Sequence, residues 1–181
     1  MPVRLSSKYL CEMETVKLFD EIDTVVFELI GSLSLFTPEQ LNQVPFEGSW
    51  TPGQVVQHIS MSVDGFSKLI RGNVVKTERN SEQHVETLKG AFLNYDIKMK
   101  SPDFLIPLEK HYEKDKLIEK LKSIKRELRA FDVQEDITKT CMDFKLPNMG
   151  YLTRSEIAHF IVYHSRRHVH QLKNIYNALN D

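Results

Sequence analysis

The chain has 181 residues, enough for one domain with its own hydrophobic core, and residues 1–181 read as a single unit. It is 41% hydrophobic and 27% charged, with seven Gly and seven Pro, a composition that leans toward helix. A net charge of −1 lacks the basic excess that nucleic acid or an anionic membrane would demand, so neither is expected as a partner.

Lys-rich runs such as Lys110 to Lys125 are interleaved with acids, as on a solvated helix face. Cys11 and Cys141 form no Cys-x-x-Cys pair and no disulfide framework, and read as two reduced, buried thiols. The amino terminus lacks the apolar core of a signal peptide, and no apolar run approaches the ~20 residues of a membrane span. A soluble, cytoplasmic protein is expected.

In chain order, the first helical signal runs from about Tyr9 to Leu35, with Phe19, Ile22, Val26, Leu29 and Leu33 at three- and four-residue steps. A short helical turn is expected after Thr37-Pro38. The second long helix opens with Thr51 as cap, Pro52 at its first position and Gln54 reaching back, and ends near Ile70 before Arg71-Gly72-Asn73.

A long connection from Val74 to Glu113 follows, with a short helix around Val85 to Leu93 and an extended stretch from Ser101 to Pro107. The third long helix spans about Lys114 to Phe131, and its apolar stripe suits a bundle. A loop from Phe144 to Tyr151 leads to the last helix, capped by Thr153 with Glu156 three residues on and reaching about Leu179. No alternating pattern argues for a sheet. The expected fold is all-α: a four-helix bundle of up-down type, with its long connection between helices 2 and 3.

His164 and His168 lie four residues apart on the last helix and can grip one ion together. At ~100° per residue they share a face with Ile157, Phe160, Ile161, Leu172 and Ile175, the stripe that should be buried. An unpartnered buried polar group costs roughly 1–3 kcal/mol, so two stacked imidazoles require a reason. Metal ligation is one; the plainer alternative is a pair of core histidines satisfied by carbonyls or water. His58, beside the apolar face of the second helix, could meet the pair across the bundle and complete a three-histidine site with open positions. By the same wheel His159 and His170 point away and read as exposed. His84 and His111 fall in charged connections and read as solvated.

The residues carry a resemblance. Trp50-Thr51-Pro52-Gly53-Gln54-Val55-Val56-Gln57-His58 resembles the Trp-to-His segment of the DinB/YfiT-like superfamily. Leu146 to Thr153, followed by His164-Ser165-Arg166-Arg167-His168-Val169-His170-Gln171-Leu172, resembles its closing signature. The resemblance implies a four-helix bundle, often a homodimer, with a triad that maps onto His58, His164 and His168. Relatives are described as metal-dependent hydrolases, while others transfer or isomerise low-molecular-weight thiols such as bacillithiol or mycothiol.

The expectation is one divalent metal ion (Zn, Ni or Fe) acting on a small molecule, with water activated for hydrolysis or a sulfur held as thiolate. Gln171, one turn beyond His168, and Ser62 and Gln54, flanking His58, are candidates to orient a ligand or line the pocket. Arg167 should pair with an acid or a helix end, and Trp50 should anchor packing. Neither Glu156 nor Asp64 shares a face with its neighbouring histidine, which leaves hydrolysis without an evident base and leans toward thiol transfer, or toward a reaction in which metal-bound hydroxide acts alone. The alternatives are a non-catalytic metal-binding or stress-related dimeric module, and a bundle with no metal at all.

Overall fold

The computed structural model describes residues 7–131 and 135–181, with side chains from residue 12 onward. The side chain of Cys11 lies outside the described residues. Helices α1 (Ser7–Ser34), α2 (Pro52–Leu69), α3 (Val85–Leu93), α4 (Lys114–Arg129) and α5 (Arg154–Asn180) are joined by strands β1 (Val74–Val75), β2 (Thr140–Leu146) and β3 (Gly150–Thr153). Short 3-10 turns occupy Gln40–Asn42 and Asp103–Leu105. No helix among the described residues is long and apolar enough to cross a membrane.

The long helices form where apolar spacing and capping agree. On α1, Phe19, Ile22, Val26, Leu29 and Leu33 are 0–4% exposed, so the stripe read from sequence is the stripe that packs. Helix α2 begins with the capping box in full: Thr51 Oγ1 accepts from Gln54 N at 3.2 Å, and Gln54 Oε1 accepts from Thr51 N at 2.9 Å. Thr153 and Glu156 repeat the device at the start of α5. Leu117, Leu121, Ile124 and Leu128 turn one face of α4 inward.

Packing order differs from a simple up-down bundle. Helix α1 lies against α4 and α5, and α2 also lies against α4 and α5, so the consecutive pairs α1–α2 and α4–α5 sit across the bundle from each other. The cause is connection length. Residues 35–51 and 130–153 are far longer than the tight turns that hold consecutive helices side by side, and they carry the chain across the end. Helix α3 packs outside the bundle against α5.

The all-α expectation also needs correction: β1, β2 and β3 form a three-stranded antiparallel sheet in that order. Met142-Asp143-Phe144-Lys145-Leu146 does alternate apolar with polar, but Met142 and Phe144 remain 37% and 38% exposed. The β2–β3 turn is closed by Asn148 and Gly150, both at positive φ (65° and 78°), which these residue types tolerate. Its role is mechanical. The hairpin delivers the chain from α4 to the capped start of α5, with Arg154 N donating to Lys139 O at 2.9 Å.

Candidate metal centre

His58 comes from the middle of α2 and His164 and His168 from the middle of α5, and the packing of these helices brings all three rings together. They are 4%, 6% and 7% exposed. Nε2 of His164 lies 3.2 Å from Nε2 of His58 and 2.9 Å from Nε2 of His168. One nitrogen from each ring thus faces a common point, with the three ligand atoms within 4.8 Å of one another.

The outer nitrogens explain why the inner ones point there. His58 Nδ1 donates to the carbonyl of Leu105 at 2.8 Å, which fixes its tautomer, because a carbonyl can only accept. His168 Nδ1 is 2.8 Å from Gln171 Oε1, and His164 Nδ1 is 3.4 Å from Ser62 Oγ. His58 and His168 face acceptors that cannot donate, so their protons sit on Nδ1 and their Nε2 lone pairs point inward. Ser62 Oγ can accept from or donate to His164 Nδ1, and where it accepts, three Nε2 lone pairs face each other with no hydrogen between them. That arrangement is repulsive in an empty core and attractive around a cation.

Charge works in the same direction. Burial, with the neighbouring His168 and His58 and then Arg167, pushes His164 well below the usual histidine range. Burial pushes His168 down to about 3, and it lowers His58 as well. All three imidazoles are therefore neutral at physiological pH, the form that binds metal. A tetrahedral ion with bonds of 2.0–2.1 Å needs ligand nitrogens about 3.3 Å apart, and the two separations that involve His164, 3.2 and 2.9 Å, come within a few tenths of an ångström of that. The donor set fits one divalent ion and, among the described residues, includes no fourth protein ligand.

Aromatic rings wall the cluster. Trp50 lies 5.0 Å from His58, while Phe160 and Phe92 lie 5.2 and 5.4 Å from His164. Of the residues singled out in the sequence, Ser62 and Gln171 reach the triad. Gln54 does not show such a contact; its side-chain oxygen is engaged in the α2 cap. Arg167 bonds the carbonyls that end α3, as its position on the helix suggested. Asp64 is held by Lys68 and Lys120.

Other histidines depart from the wheel reading. His159 and His170 are half-buried because α5 is flanked by more than the bundle: Tyr95 stacks flat on His170 at 4.1 Å, and His159 Nδ1 donates to Ser155 O at 3.0 Å. His84 is half-buried too, and His111 is exposed. Cys141 is fully buried, and burial raises its thiol to about 11, so it is an inert core residue.

Sequence reading missed two contributors. The carbonyl of Leu105 gives no side-chain signal at all. Arg79, whose guanidinium grips the buried Glu156, sits in a charged connection with nothing to distinguish it from its neighbours.

The family model for the DinB superfamily matches residues 19–172. The chain belongs to the DinB superfamily. Among solved structures it is similar to YfiT from Bacillus subtilis, described as a probable metal-dependent hydrolase with an unusual four-helix bundle topology. The two share 18% identity with a TM-score of 0.51, over 99% of this chain and 93% of that one, a likeness of fold. No curated protein matches the chain in sequence.

Proposed function

We propose that this DinB protein holds one divalent metal ion on His58, His164 and His168 and uses it on a small-molecule substrate. The observation that carries the reading is the paired arrangement of the imidazoles: every Nε2 turned inward, every Nδ1 tied to a protein oxygen. Second contacts of this kind orient ligands and raise their basicity. Bound there, a Lewis-acidic ion would polarise an oxygen-bearing electrophile and make water or a thiol more acidic.

The chain's own residues supply orientation and dryness. Trp50, Phe92 and Phe160 wall the rings with apolar surface, and a tetrahedral ion on three ligands would keep a coordination position for water or substrate. YfiT is described as a probable metal-dependent hydrolase, so hydrolysis is the first activity to test.

Thiol transfer is a second reading, favoured by one observation: no carboxylate belongs to the described cluster, and Glu156 and Asp64 are both committed to cations elsewhere. A thiol needs no general base once the metal holds it as thiolate. Metal-loaded protein offered ester and amide substrates in parallel with low-molecular-weight thiols and an electrophile distinguishes the two. Turnover abolished by His164→Ala supports the enzyme reading. Metal binding without turnover in either assay would favour a non-catalytic metal-binding module. The protein is further proposed to act as a homodimer, which sedimentation tests.

A further inference from the structure

The chain between α3 and α4 crosses the triad as a strap, and its attachments are polar. At its start, Arg167 Nη1 donates to the carbonyls of Asn94 (2.9 Å) and Phe92 (3.4 Å), and Nη2 donates to that of Ile97. At its far end, Asn42 and Tyr112 exchange bonds of 2.7 and 3.0 Å. Between these anchors, Leu105 O meets His58 Nδ1 at 2.8 Å, and Ser101 Oγ lies 3.4 Å from the same nitrogen.

Apolar contacts are few: Tyr95 stacks on His170, Phe104 meets Phe144 edge-on, and Pro107 is buried. Ile97, Met99, Phe104, Ile106 and Leu108 are 45–68% exposed, so apolar burial contributes weakly to its position. Leu105 O, the nearer partner of His58 Nδ1, and Ser101 Oγ thus both lie on a segment whose leading end is tied down by a guanidinium. Arginine suits the task, since its planar fork reaches several acceptors at once.

We propose that Arg167 is a positioning residue for the ligand His58, acting through the strap rather than through His168 beside it. A residue on α5 thereby sets the ring of a ligand on α2. The inference rests on the triad being a metal site, but its first readout needs no metal.

The test compares wild type with Arg167→Ala and Arg167→Lys. In metal-free, isotope-labelled protein, the His58 Nδ1–H resonance is expected to vanish in Arg167→Ala. Amides of residues 98–106 are expected to exchange about tenfold faster, with the bundle amides unchanged. After cobalt loading, loss of the ion to a chelator should quicken by about tenfold, with an altered visible spectrum.

Lysine keeps the charge but presents one nitrogen where arginine presents two, so Arg167→Lys should show the same defects in smaller measure. It decides the matter if the alanine variant does not fold. A folded variant that retains the His58 signal and the wild-type cobalt loss rate overturns the proposal. A wild type that takes up no cobalt sinks the metal reading instead, while the His58 resonance still judges the strap.

Discussion

Arg79 grips the fully buried carboxylate of Glu156 with Nη1 and Nη2 of its guanidinium, at 2.7 and 2.6 Å. The same carboxylate accepts the backbone N–H groups of His84 and Thr153, each at 2.9 Å. It thus ties the connection that leads into α3 to the capped start of α5. Arg79→Ala would strand a buried charge, and a loss of about 3–5 kcal/mol is expected in urea unfolding. A loss under about 1 kcal/mol would mean that the pair is not a structural latch.

The acid sensitivity of that latch has a definite sign. Burial alone raises the Glu156 carboxyl, but Arg79 and the two N–H groups outweigh it and hold the group below its ordinary 4.5. The stabilisation is complete above about pH 4.5 and is lost as pH falls through the lower folded value. Glu156→Gln should therefore be less stable than wild type at neutral pH, with the gap closing in acid. A gap that stays constant would contradict this.

The triad predicts a second pH dependence. Its folded pKa values lie below the ordinary 6.5, so below about pH 6.5 the unfolded chain takes up protons before the folded one does. Metal-free protein should lose stability as pH falls through this window, toward the value of about 3 for His168. His168→Gln should flatten the slope. Parallel curves for the two proteins would count against neutral, buried imidazoles.

Contacts behind the ligands should differ in weight. Gln171→Leu removes a 2.8 Å partner of His168 and is expected to weaken metal binding roughly 10- to 100-fold. Ser62→Ala removes a contact of 3.4 Å and should cost less. Gln54→Ala should lower stability by about 1 kcal/mol through the lost cap while leaving metal affinity unchanged. Calorimetric titration with zinc of the three variants checks the order.

The bundle was legible in the sequence because its long helices carry both an apolar stripe and an end signal: Thr51 and Thr153 cap where they should, and Leu29 and Ile161 are buried where the period puts them. His164 and His168 could be read for the same reason, as polar groups inside a buried stripe. The sheet was not, because Met142 and Phe144 lie on a half-exposed ribbon whose alternation is only five residues long. Packing order escaped as well, since no local pattern says which helix a long connection will reach. The hold of Leu105 on His58 is made by a backbone carbonyl 47 positions away, invisible to any reading of residue types.

The proposed metal site stands or falls on metal content. Elemental analysis of natively purified protein, beside a His58→Ala, His164→Ala double variant of verified helical content, should give about one divalent ion per chain in the wild type and none in the variant. A folded wild type that is metal-free and takes up no added zinc or nickel would contradict it, and would leave three histidines that merely share a core.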